Sequence, residues 1–304
     1  MDTVIHNSIH VLLAFGLAPL LLGITNKTKA AFGGRVGPPV LQLYYDLAKL
    51  FRKGSVFSTT TTWMFCAGPV VGLVTSAICV LLLPLAGGSV PISFLGDPIM
   101  LVYLLGLGRF FTASAALDTG SPFEGMGAAR EVTFACLAEP PFVLGLLVLA
   151  RLSNSFQLST MLGTSPAPYW SSAGASPALV LVSWSIILLT ENCRIPFDDP
   201  NTHLELTMIH EVMVLDHSGP ALGMILYGAA LKLFIFGALI VRLVFPPTSS
   251  GLLDWPLLAV GMLGVAIGLG IVESTMARLR LTQIPLFLVA ACLLSGFGVI
   301  LLLR

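Results

Sequence analysis

Long apolar stretches separated by short polar ones run the length of the chain. A membrane-crossing helix needs about 20 mostly apolar residues, and eight stretches meet that need: 4–25, 62–85, 95–117, 130–152, 177–193, 221–245, 254–274 and 283–303. Between the first two lies a segment of different character. Val40, Leu41, Tyr44, Leu47, Leu50 and Phe51 recur at helical spacing, with Gln42, Asp46, Lys49 and Lys53 on the other side. That pattern predicts an amphipathic helix over 40–53, lying at the membrane interface. A second polar stretch, 191–220, carries six acids, three histidines and Arg194 between two apolar runs. Pro196 cannot continue the preceding helix. After Pro200, Leu204, Met208, Val212 and Leu215 predict a short amphipathic helix, closed by Ser218-Gly219-Pro220. The expected architecture is all-α, one membrane domain over 1–304.

Composition agrees. The mean hydropathy is +0.94, and hydrophobic residues make up 56% of the chain, which excludes an ordinary soluble domain. The first stretch lacks a basic flank and a convincing cleavage site, so it reads as a retained span. Lys27, Lys29, Arg35, Lys49, Arg52, Lys53, Arg130, Arg194, Arg278 and Arg280 fall on one side of the predicted spans, and only Arg151, Arg242 and Arg304 on the other. By the positive-inside rule the first side is cytoplasmic and both termini face away from it. The net charge is zero, which gives nucleic acid no electrostatic reason to bind.

Against this background the charges inside the spans stand out. Arg109 sits mid-span, where insertion costs roughly 2.5–3.5 kcal/mol, so it should face a carboxylate or a wet interior. Glu131 is expected at a helix N-terminus, where the dipole favours it. Glu139 lies deep in the same span, before Pro140-Pro141, which should free carbonyls and kink the helix. Glu191 ends the fifth span, Lys232 lies midway along the sixth, and Glu273 ends the seventh, with Arg278 or Arg280 as its expected partner. Asp198, Asp199, Glu205 and Glu211 hang below. Such a row is what a proton relay needs, because a change in neighbouring charge moves a buried carboxylate's proton. The alternative is structural pairing within the bundle. Gly264-x-x-x-Gly268 predicts a close helix contact.

Other chemistry is poorly supported. In His210-Glu211 the second histidine of a zincin motif would have to occupy the position of Val214. His203 and His210 are spaced to share a helix face but not as a usual ligand pair. The five cysteines form no C-x-x-C pair, so no iron–sulfur or zinc framework is expected in this chain. Serine-triad, Walker and dinucleotide signatures are missing from the sequence.

The residues Glu191, Arg194, Pro196, Phe197, Asp198, Glu205, Leu206, Ser218 and Gly219 resemble the fifth-to-sixth-helix loop of the subunit 1 family of respiratory complex I. Arg35-x-Gly37-Pro38, Leu41-Gln42, Asp46, Lys49-Leu50, Gly127, Arg130 and Glu139 extend the likeness from the first span to the last. Asn201 and His203 stand where complex I subunits carry further acids. The runs 117–123, 127–131 and 273–281 instead resemble the hydrogenase branch of the family, the membrane subunits of formate hydrogenlyase and hydrogenase-4.

That resemblance implies a non-catalytic, proton- or ion-coupling anchor in the inner membrane of a bacterium or archaeon. It would join soluble hydrogenase large and small subunits and an iron–sulfur subunit to antiporter-like membrane subunits. The nickel–iron centre and iron–sulfur clusters would belong to those partners, with no cofactor here. It implies a proton route through Glu131, Glu139, Glu191, Asp198, Glu205, Lys232 and Glu273. Docking or structural roles fall to Arg35, Asp46, Arg109, Arg130, Arg194, Asp199 and Glu211. Two other readings stay open: a quinone-coupled complex I-like subunit and a stand-alone ion transporter.

Overall fold

The computed structural model describes residues 2–86, 90–163, 170, 173–198, 208–245 and 251–303. Its elements are α1 (Asp2–Phe32), α2 (Gln42–Leu50), α3 (Trp63–Leu82), α4 (Asp97–Asp118), α5 (Pro122–Ser153), α6 (Leu158–Gly163) and α7 (Ala175–Glu191). A 3₁₀ turn η1 (Glu211–Val214) precedes α8 (Gly219–Val244), α9 (Gly251–Thr275) and α10 (Ile284–Leu302). No strand occurs among the described residues. Seven of these helices are long and apolar enough to cross a membrane. The eighth, α7, has 17 residues, which at 1.5 Å each gives about 25 Å against roughly 30 Å of hydrocarbon. The all-helical plan therefore stands, with α7 as its short member.

Helix ends follow local chemistry. Proline sits in the first turn of α4, α5, α8 and α10, where its missing N–H costs nothing. The carboxylate of Asp118, at the end of α4, accepts from Thr62 N at 2.6 Å, Thr62 Oγ1 at 2.8 Å and Phe65 N at 3.3 Å. It thereby caps the start of α3 and locks the α3–α4 hairpin. Ser121-Pro122 starts α5 earlier than expected. Glu124 takes the first turn, and Glu131 lies more than two turns inside, so the helix dipole no longer accounts for it. α5 also runs through Pro140 and Pro141 to Ser153, where a break was expected.

Apolar lipid gives no hydrophobic drive between helices, so contact depends on small residues that admit close approach. A Cβ on Gly145 would strike the Trp184 ring, one on Gly270 would meet Thr28, and one on Gly261 would meet Val241. The ring of Trp184 in turn packs 5.6 Å from Phe142, which lies 5.4 Å from Phe236. Helix α8 is the hub, packing on α1, α2, α3, α7 and α9. Gly264 and Gly268, by contrast, have open space beside them among the described residues. The expected contact is made by their neighbours, because the buried stripe of α9 passes through Gly261, Met262, Ala266, Leu269 and Gly270.

The amphipathic segment forms as α2, with Leu47 buried and the Tyr44 hydroxyl donating to the Gly16 carbonyl of α1. Asp46 accepts from Gln42 Nε2 at 2.9 Å, and Arg35 is exposed in the turn before it. The predicted helix through Met208 and Val212 is replaced by η1 alone, with Met208 outside it. Its earlier part, with Asp199, His203, Leu204 and Glu205, lies outside the described residues. Ser218-Gly219-Pro220 starts α8. Ser218 Oγ accepts from Val56 N at 3.1 Å, and Gly219 adopts φ +55° with its Cα turned against the Gly54 carbonyl. Only glycine fits that approach.

Candidate functional site: a buried charge row in the bundle

Four charged side chains from four helices meet inside the bundle. Arg109 of α4 donates from Nη1 to Glu191 Oε1 of α7 at 2.5 Å and from Nη2 to Glu139 Oε1 of α5. Lys232 of α8 reaches Glu191 Oε2 at 2.8 Å. Glu191 is thus held between two cations and is 7% exposed, while Glu139 keeps 43% of its side chain open on the outer surface of α5. The cluster is electrically balanced, two carboxylates against two cations. That balance is what makes the interior position affordable.

A cavity of about 90 Å³ adjoins it, lined in part by Arg109, Glu131, Glu191, Cys193, His210 and Lys232. One water needs about 10–15 Å³ by this measure, so several fit. Two pockets of about 10 Å³ flank it. One is lined by Arg109, Glu139 and Glu191; the other by Glu131, Glu191, Cys193 and Asp198. The three spaces share Glu191 and join the loop end of the bundle to Glu139.

At the loop end, Asp198 is 2% exposed. Its carboxylate takes Arg278 Nη2 at 2.9 Å, Ile209 N at 2.9 Å and His210 N at 3.4 Å. Arg130 Nη1 donates to Met208 O at 2.8 Å. Gly127 admits the loop, since a Cβ there would strike Val212. Glu124, buried at the start of α5, accepts from Asp216 N at 3.1 Å. Together these tie 208–217 to α5 and to the segment after α9. His217 stacks on Phe65 at 4.0 Å, and burial depresses its pKa to about 4, so it is neutral at physiological pH. Burial also lowers the pKa of His210, against the pull of Glu131, and raises the Cys193 thiol well above its usual range.

Glu273 stands apart from this row. It pairs with Lys29 at 2.7 Å and Arg194 at 3.4 Å, not with Arg278 or Arg280 as expected. The chain leaves the helix at Thr275, so helical i,i+4 spacing no longer holds beyond it. Arg194, expected to fix the loop's entry, therefore grips α9. Glu211 opens η1. Sequence reasoning missed Lys29, Glu124, Cys193 and His210 as site residues. Helix α1 runs on to Phe32, turning Lys29 from a loop charge into a bundle residue.

With the geometry in place, the chain was compared with known proteins. It is 34% identical over 291 residues to formate hydrogenlyase subunit 4 of Escherichia coli, covering 93% of each chain. It is 36% identical over 230 residues to hydrogenase-4 component C of the same organism, covering 76% of this chain and 71% of that one. Its fold matches a chain of the membrane-bound sulfane sulfur reductase, an archaeal respiratory membrane complex. That match has a TM-score of 0.84 at 20% identity and covers 99% of this chain and 100% of the other. The family model described as NADH dehydrogenase matches residues 6–303, and the chain belongs to that family.

Proposed function

We propose that the chain is the membrane-anchor and proton- or ion-coupling subunit of a nickel–iron hydrogenase complex related to complex I. It ties a soluble redox arm to antiporter-like membrane subunits. The observation that carries this reading is Glu191 held between Arg109 and Lys232, with cavities leading from the loop to half-exposed Glu139. The relatives supply the setting, since the two named above are components of hydrogenase complexes by their names.

In this reading the loop that contains Asp198, Arg130 and Arg194 is the cytoplasmic floor on which the soluble arm sits, and Asp199, Glu205 and Glu211 belong to it. Arg35 and Asp46 flank it beside α2. Nickel–iron and iron–sulfur centres reside in the partners. Protonation at Glu131 or Asp198 alters the field at Glu191. A unit charge about 4 Å away is worth about 4 kcal/mol at an effective dielectric constant of 20, enough to shift which carboxylate Arg109 holds. Glu139 then passes the change sideways to a neighbouring membrane subunit. The quinone-coupled reading needs a lipid-tail tunnel along α2. The cavity around Glu191 includes neither Arg35 nor Asp46 among its lining residues, and this favours the hydrogenase branch.

Glu139→Gln tests the route at its outer end. The assembled complex should keep electron transfer, while proton delivery slows by about 10²-fold, the scale of a lost acid–base group. A membrane-potential dye read against electron transfer in vesicles would check it. Unchanged potential per electron would leave Glu139 a structural partner of Arg109.

A further inference from the structure

Three residues at the mouth of the central cavity carry chemistry that the charge row does not use. A carboxylate oxygen of Glu131, Sγ of Cys193 and a ring nitrogen of His210 all lie within 4.8 Å of one another. They come from α5, from the turn after α7 and from the residue before η1. We propose that they form a site for a divalent ion of the zinc class, and that filling it blocks the proton route at its mouth.

The donor set fits that ion. Thiolate, imidazole and carboxylate are the ligands zinc takes, at roughly 2.0–2.3 Å, and three protein ligands leave one position for water. Cys193 Sγ is 4.0 Å from Glu131 Oε2, close to the roughly 3.5 Å between ligands of a tetrahedral ion, so small side-chain rotations complete the site. The cavity of about 90 Å³ holds the fourth ligand. The local field favours a cation. Glu131, Asp198 and Glu191 act electrostatically on His210 and Cys193 against the single ammonium of Lys232, which is itself bound to Glu191 at 2.8 Å. Arg278 neutralises part of Asp198 at 2.9 Å, and Glu131 remains to face the ion.

Binding forms bonds from the ion to sulfur, nitrogen and oxygen. The thiol proton leaves to cavity water, with no change in oxidation state. The bound ion then occupies the Glu131 carboxylate and places positive charge at the cavity mouth. The blocking role rests on the coupling function proposed above; the binding does not.

The test uses the assembled complex, stripped with chelator, incubated with Zn2+ alone and desalted. Wild type should retain one zinc more than Cys193→Ser or His210→Gln by mass spectrometry. Its zinc X-ray absorption should contain a sulfur ligand that Cys193→Ser lacks. Zinc should inhibit potential generation more than electron transfer. Cys193→Ser should keep its zinc-free activity while the half-inhibiting concentration rises by about tenfold or more. Equal zinc retention in wild type and both variants would overturn the site. Extra zinc with undiminished potential would overturn the blocking role. If Glu191→Gln proves fully coupled, the route fails, yet the zinc count still decides the site.

Discussion

Glu191→Gln is expected to abolish coupled ion movement and to weaken the subunit at the same time. The substitution keeps shape but removes the charge shared by Arg109 at 2.5 Å and Lys232 at 2.8 Å. Breaking a buried pair from one side costs about 3–5 kcal/mol. Arg109 retains Glu139, so the lower end is expected. Lys232 is the group left uncompensated. Adding Lys232→Gln should restore most of the stability, because the stranded cation is gone, and should leave coupling absent. Thermal unfolding of the purified complex and a potential dye in vesicles separate the two effects. If the single variant pumps normally, Glu191 is a structural counter-ion. If the double variant is no more stable than the single one, the charge argument is wrong.

Asp198→Ala should detach the loop from its seat. Asp198 is buried and accepts one guanidinium N–H and two backbone N–H groups. Its loss leaves Arg278 and the amides of Ile209 and His210 without it, at a cost of roughly 3–5 kcal/mol concentrated in one short segment. The membrane helices do not depend on it, so insertion should persist. The expected outcome is faster proteolysis within 191–218 and at least tenfold less soluble arm co-purifying. Arg278→Gln should do less, since Asp198 keeps both backbone donors. A soluble arm retained in full by Asp198→Ala would mean that the loop is not its main seat.

Much of this architecture was legible from residue pattern. Each span declares itself by length and apolarity, and Arg109 required a carboxylate wherever it landed. Which carboxylate was not legible. Glu191 is 82 positions away, and only the packing of α4 on α5 and of α5 on α7 brings them together. The same holds for Glu131, Cys193 and His210, whose spacing follows no ligand motif because they come from three elements. Local rules failed where tertiary contact overrode them. Glu124 and two glycines read as a turn before α5, yet Pro122 starts the helix there, and the loop packs onto Gly127. Gly264 and Gly268 matched a packing motif, but the burial of α9 is set by the residues beside them. The α2 segment succeeded because its two-sided pattern needed only an interface, whereas the helix expected through Met208 met Asp198 and Arg130 and became a short turn.

The measurement that bears most directly on the account is infrared difference spectroscopy of the assembled complex, between its oxidised and reduced states. The account holds that carboxylates of the Arg109 cluster change protonation as electrons pass through the partner. It predicts a carboxyl stretching band in wild type that is lost in Glu191→Gln or in Glu139→Gln, and restored in neither by Lys232→Gln. A wild-type spectrum whose carboxyl bands are all unchanged by both substitutions would contradict it.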